Sequence, residues 1–99
     1  MNADITTGGF HLPDAITLAN IADVRAMGEQ HITELAERED ACTFHLAGLE
    51  QTNSLAVALL VAWFRYAHVH EKSIVYVDAP RDLRNIIDVY GLTEVLPIS

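Results

Sequence analysis

The feature of this sequence that most constrains its fold is an uninterrupted apolar run, Leu55–Phe64. The run is about half of the ~20 residues that a bilayer-spanning helix needs, so it predicts a buried helix instead of a membrane span. Cap-forming residues 52–54 precede the run, and charged and histidine residues follow it from Arg65 onward. The pattern predicts a central helix over about residues 55–69. Its first ten residues are apolar almost all round, as expected between a sheet and other elements, and the rest returns to solvent.

Three short segments on either side of this helix have the composition of β-strands. Residues 41–46 alternate apolar and polar side chains, and residues 73–77 form a β-branched and aromatic run. The first strand is predicted to follow the Gly8-Gly9 turn and to end at Pro13, with a further short extended piece over residues 15–18. These segments supply strands on both sides of the central helix.

Two more helices are predicted from periodic apolar residues. One begins near Ile21 after Asn20, a predicted N-cap, and continues toward an exposed charged turn at residues 37–40. Within it, Gly28 predicts a close approach to the sheet, since glycine costs roughly 1 kcal/mol in a helix interior. The other helix follows Pro80 and stops at Gly91. The apolar residues after it are expected to dock as a tail or a last short strand, namely Leu92, Val95, Leu96 and Ile98.

The alternation of strands and helices predicts a single α/β domain over residues 1–99, built on a mostly parallel sheet with right-handed crossovers. A chain of this length is enough for one core and too short for two.

Charge and cysteine content exclude several classes of function. Six basic residues against fourteen acidic ones leave a net charge of −8 with no basic stripe, which argues against nucleic-acid binding. The single cysteine, Cys42, can form neither a disulfide nor a cysteine metal site within the chain. Residues 1–10 lack the pattern of a secretory signal, so a cytoplasmic location is expected.

No catalytic, cofactor or metal site is predicted. The strand-to-helix loop has only Gly48, whereas phosphate-cradling loops need several glycines, and no nucleophile elbow surrounds Ser54. His68 and His70 would project about 200° apart on a helix and could not share a metal ion. The remaining histidines, His11, His31 and His45, have no partner visible in the sequence. We therefore expect a protein that is not an enzyme.

The start of the central helix is where the sequence resembles a known family. The segment from Phe44 to Leu60, FHLAGLEQTNSLAVALL, resembles the STAS signature, in which a strand ending Asp-Leu-Ser is followed by Asp-Ser-Ser-Gly-Leu. The proline, helix and Gly-Leu pattern from Ser73 to Leu92 and the opening strand and helix are also similar to that family. The resemblance implies a small, mixed, mostly parallel sheet of about four or five strands, with helices mainly on one face.

The resemblance also implies a role in protein recognition, with helix-start residues binding the partner. Those residues are Thr52, Asn53, Ser54, Leu55 and Ala56. The short stand-alone chain most resembles MlaB-type members, which work beside the ATPase of a phospholipid transporter. Those members keep a hydroxyl residue where this chain has Ser54. Leu55 stands where anti-sigma factor antagonists carry a phosphorylated serine, and Asn53 replaces the usual aspartate.

Three functions stay open at this point. The first is a cytoplasmic accessory subunit of a Gram-negative ABC-type phospholipid transporter that maintains lipid asymmetry. It would bind the ATPase, reach the permease indirectly and lie peripheral to the inner membrane without inserting into it. The second is an anti-sigma factor antagonist, with Ser54 as the only nearby phosphoacceptor. The third, an enzyme or small-ligand protein on a similar scaffold, is disfavoured because no catalytic constellation is visible.

Overall fold

The computed structural model of the chain describes residues 4–6, 9–35 and 42–98. Within them, four strands form one sheet in the order β1-β2-β3-β4. The β1 and β2 strands are antiparallel, whereas β2 with β3 and β3 with β4 are parallel. The sheet is thus mixed and mostly parallel, as predicted. The strands are β1 (Asp4–Thr6), β2 (Gly9–His11), β3 (Cys42–His45) and β4 (Ile74–Val77).

Helices alternate with the strands from β2 onward, in the predicted order. They are α1 (Ile21–Leu35), α2 (Ser54–Val69) and α3 (Arg81–Val89). The charged turn predicted at residues 37–40 lies outside the described residues. Gly91 ends α3 as predicted: its φ is 71°, and the N–H groups of residues 91 and 92 donate to the carbonyls of Asp88 and Ile87.

The segment between β2 and α1 differs from the prediction. The extended piece expected over residues 15–18 is reduced to one bridge, between Ala15 and Gln51. The Asn20 side chain does not cap α1, because its amide oxygen and its amide nitrogen both form hydrogen bonds within the preceding turn. Its Oδ1 accepts from the Thr17 N–H at 2.8 Å, and its Nδ2 donates to the Ala15 carbonyl at 2.9 Å.

One face of the sheet carries the core, as the strand register shows. Phe10, Phe44 and Tyr76 are neighbours across β2, β3 and β4, and all three are fully buried. Trp63 of α2 packs 4.7 Å from the Phe44 ring, and His31 of α1 packs 5.3 Å from the same ring, centroid to centroid. Both helices therefore cover this face. The buried residues Leu83 and Ile87 join α3 to the same core.

The contact between α1 and α2 explains the glycine in α1. A Cβ built on Gly28 would lie 2.3 Å from the Trp63 indole, and the indole Nε1 donates to the Arg25 carbonyl at 3.1 Å. Gly28 thus marks a close approach, as predicted. The prediction of the sheet as its neighbour is wrong, because Gly28 approaches the neighbouring helix α2. The Trp63 indole occupies the space that a side chain at residue 28 would need. Sequence periodicity does not reveal that these two residues meet.

The C-terminal tail covers the outer edge of β4. The apolar residues of this tail were expected to dock, and all but one of them do. The Tyr76 N–H donates to the Pro97 carbonyl at 2.9 Å, and Ile98 forms a parallel bridge with Tyr76. Leu96 is buried, while Val95 is 52% exposed and so does not dock. A covered edge protects backbone groups that would otherwise pair with another strand.

Candidate partner-binding site

The loop that leads from β3 into α2 is tied to the segment after β2. The N–H groups of Glu50 and Gln51 both donate to the Asp14 carbonyl, at 2.8 and 3.0 Å. At its other end the loop is closed by a hydrogen bond from Leu49 to the Leu46 carbonyl, and both side chains are buried. These bonds set the position at which α2 begins.

Asn53 is the N-cap of α2 and links it to that segment. Its Oδ1 accepts from the Ala56 N–H at 3.0 Å, while its Nδ2 donates to the Ile16 carbonyl at 3.1 Å. An aspartate could accept the first bond but could not donate the second. The structure thus gives a physical reason for asparagine where the family pattern has aspartate.

The five residues predicted to bind a partner differ in exposure. Ser54, the first residue of α2, is exposed, and Thr52 and Asn53 are half-buried. Leu55 is half-buried and packs against the core, whereas Ala56 is fully buried. Ala56 is therefore a correction to the predicted set: its side chain faces the core on the inner side of α2 and offers no surface to a partner.

The outer face of α2 was missed by the sequence reasoning. The first ten residues of the helix are predicted to be enclosed on almost all sides, yet Ala58 is exposed. Val69, in the part predicted to return to solvent, is 74% exposed. These two residues lie on one face with Ser54, Ala62 and Arg65, at steps of three and four residues. The small size of the two alanines was the available clue, since apolar periodicity does not separate a buried alanine from an exposed one.

Another apolar side chain is exposed on the segment that Asn53 binds. Leu18 is 84% exposed and follows two residues after Ile16, whose carbonyl Asn53 binds. An exposed leucine on this segment adds apolar surface that a partner could cover.

The histidines form no metal site in the parts of the chain that the structure describes, where no group of three potential ligands was found. His11 and His45 stack at 4.3 Å with an 8° angle between rings, on the sheet face opposite the core. Their contact depends on the register of two strands far apart in sequence, so sequence spacing could not reveal it. His31, for which no partner was visible in sequence, is a buried core residue whose Nε2 lies 3.3 Å from the Thr43 carbonyl.

Burial also marks one titratable group beneath α2. The Tyr76 hydroxyl donates to the Leu60 carbonyl at 2.6 Å. Burial raises the pKa of this hydroxyl well above its usual value, because the phenolate would lose its hydration. The group lies inside the core and contributes to stability instead of to a surface site.

Comparison with known proteins bears on this architecture. A family model described as "Mlab, STAS domain" matches residues 10–97. The chain belongs to the STAS domain family. A search of curated protein sequences finds no match.

Two solved structures share this STAS fold. A candidate anti-sigma factor antagonist from Thermotoga maritima superposes with a TM-score of 0.71 at 12% identity, covering 97% of this chain and 82% of that one. SpoIIAA, an anti-sigma factor antagonist in its unphosphorylated form, gives a TM-score of 0.69 at 13% identity, covering 98% and 85%. Likeness at such low identity establishes the fold alone. Among the described helices of this STAS domain, none is long and apolar enough to cross a bilayer.

Proposed function

We propose that this STAS domain is a cytoplasmic accessory subunit that binds and supports the ATPase of an ABC-type phospholipid transporter. The observation that carries the proposal is the exposed Ser54 at the start of α2, where Asn53 already caps the helix. Ser54 is thus not needed for capping, and its hydroxyl stands beside the positive end of the helix dipole. The match to a family model named for MlaB supports the choice of transporter partner.

The proposed role is regulatory, with no catalytic residue, cofactor or metal assigned to this chain. The contact surface comprises Thr52, Asn53 and Ser54, together with the exposed part of Leu55. The ATPase would hold the domain at the inner membrane, next to a permease that it reaches only indirectly. No membrane insertion or nucleic-acid contact forms part of this role.

Binding to the purified ATPase subunit tests the proposal. Replacing Ser54 by glutamate introduces a charge at the centre of the proposed contact. We expect the dissociation constant measured by calorimetry to increase at least tenfold. Ser73→Glu is the matched control, because Ser73 is also exposed but lies beyond the other end of α2. Absence of binding by the wild-type chain, or equal binding by Ser54→Glu, contradicts the proposal.

A second candidate function is that of an anti-sigma factor antagonist. It is favoured by the likeness to two such antagonists and by the exposed Ser54 hydroxyl at a helix N-terminus, where a phosphate is electrostatically favoured. Leu55, at the usual phosphoacceptor position, is half-buried and has no hydroxyl. Incubation with the cognate kinase and mass spectrometry distinguishes the two functions: phosphate on Ser54 supports the antagonist, and an unmodified chain excludes it.

A further inference from the structure

A groove runs between the outer faces of α1 and α2, and we call it the α1–α2 groove. Its volume is about 340 Å³ where residues of both helices line it. A second hollow of about 350 Å³ shares Arg25, Ala58 and Ala62 and continues along α2 toward His70, with Arg25 as the α1 residue that lines it. Much of its lining is alanine, with Ala22 and Ala26 from α1 facing Ala58 and Ala62 from α2. Such small side chains leave room for another helix to lie in the groove with its apolar face inward.

The charges around the α1–α2 groove differ from those of the whole chain. Two of the six basic residues, Arg25 and Arg65, line it, against one of the fourteen acidic residues, Glu29. The α2 helix contains no acidic residue at all. The groove therefore has a locally positive rim on a protein whose net charge is −8, and this rim is complementary to carboxylates.

One of these arginines already has a carboxylate partner that could be exchanged. Arg25 Nε lies 3.1 Å from Glu29 in an i,i+4 pair whose arginine side chain is 56% exposed. Pairs of this kind contribute about 0.3–0.5 kcal/mol, so a partner carboxylate could share or replace Glu29 at little cost.

The same charges argue against two other occupants. A second copy of the chain in a two-fold dimer would bring each positive rim against its own equivalent. An anionic membrane would repel a chain of net charge −8, and two arginines make too small a basic patch to offset this repulsion. A protein helix with acidic residues has neither difficulty.

We propose that the α1–α2 groove binds an amphipathic helix of the partner protein, with small apolar residues inward and carboxylates against Arg25 and Arg65. The inference rests on the proposed function, because Ser54 lies on the same face of α2 as Ala58 and Ala62. The residues of α2 and its C-cap that line the groove run from Ala58 to His70, a length of about 18 Å, so the groove matches a partner helix of a little over three turns.

Charge reversal and obstruction test the groove in the complex with the ATPase subunit. We expect Arg65→Glu to weaken binding at least tenfold, whereas Arg81→Glu on α3 makes the same charge change and leaves binding within twofold. Ala58→Trp fills the groove and should also weaken binding at least tenfold, with Val89→Trp on the exposed face of α3 as its control. Circular dichroism melting checks that each variant is folded.

These variants separate the inference from the proposed function. If Ser54→Glu abolishes ATPase binding while Arg65→Glu and Ala58→Trp bind like the wild type, the helix does not lie in the groove and the inference is overturned, but the proposed function stands. If the wild-type chain does not bind the ATPase, the proposed function fails, and the groove is tested by the peptide experiment alone.

The peptide experiment needs no ATPase. A synthetic 16-residue helical peptide with an alanine face and glutamate at the rim positions is titrated into the full chain, and NMR shifts are followed. We expect shifts concentrated at Ala26, Ala58 and Ala62, and at least tenfold weaker binding by the same peptide with lysine at the rim. Shifts elsewhere, equal affinity for both peptides, no binding, or a dimer of the chain closed through the groove would overturn the inference.

Discussion

The two faces of α2 both carry apolar residues but have different roles. On the inner face, Leu60 and Trp63 are fully buried against the sheet and α1. On the outer face, Ala58 and Val69 remain exposed beside α1. The difference shows that an apolar residue type does not fix burial: the size of a side chain and the position of the neighbouring helix determine which half of α2 stabilises the fold and which half stays open to a partner.

The largest difference between the two faces should come from Trp63→Ala. The indole is fully buried, packs against Phe10 and Phe44, and donates to the Arg25 carbonyl, so its loss leaves a large cavity. We expect a loss of about 3–5 kcal/mol in the free energy of unfolding, measured by urea denaturation. Val69→Ala on the outer face is the control and should stay within about 0.5 kcal/mol of the wild type. Equal effects would contradict the comparison.

A smaller loss is expected from Gly28→Ala, at the point where α1 meets the inner face. The new Cβ would lie 2.3 Å from the buried Trp63 indole, so the ring or the helix must move. The clash outweighs the roughly 1 kcal/mol that alanine gains in helix propensity, and we expect a net loss of about 1–3 kcal/mol. Trp63→Phe makes room for the new methyl group. The double variant should therefore lose less free energy of unfolding than the two single variants added together. Strict additivity would contradict a direct contact between residues 28 and 63.

The buried Tyr76 hydroxyl beneath α2 should make the free energy of unfolding fall at alkaline pH. Burial raises the pKa of Tyr76, so the unfolded chain loses this proton first, near pH 10, and stability falls as pH rises further. The wild type should lose up to about 1.4 kcal/mol per pH unit more than Tyr76→Phe above about pH 10. At neutral pH the variant loses one hydrogen bond and about 1 kcal/mol.

Urea denaturation at a series of pH values measures this effect. Tyr90→Phe is the matched control, because it removes a hydroxyl from an exposed ring and should keep the wild-type slope. If Tyr76→Phe keeps that slope as well, the hydroxyl is not buried in solution.

The smallest effect is expected on the outer face, from Ala58→Leu. An exposed helix position accommodates leucine without displacing neighbours, so the free energy of unfolding should change by less than about 0.5 kcal/mol. Ala56→Leu, two residues earlier on the inner face, is the control and should cost about 1–3 kcal/mol through overpacking. A large loss from Ala58→Leu would mean that the groove closes in solution.

Much of the fold was predictable because its determinants are local. The apolar run gave α2 to within one residue at its start, and alternation at Phe44 and the β-branched run before Asp78 gave β3 and β4. Boundaries were less predictable where side chains compete: Asn20 has the residue type of a cap but is committed to the preceding turn. For the candidate site, the sequence located the cap and the exposed Ser54 but included the buried Ala56, because residue type alone does not tell which side of a helix faces the core.

By itself, the sequence determined the order of strands and helices from β2 onward and the position of the α2 start, since periodicity and capping act within a few residues, but it did not predict β1. Only the tertiary structure decided which distant residues meet. The Trp63 indole binds a carbonyl 38 residues away, and Asn53 binds one 37 residues away. The Gly28 contact, the stacked histidines and the α1–α2 groove arise in the same way, because they depend on how helices cross and strands register, which no local pattern encodes.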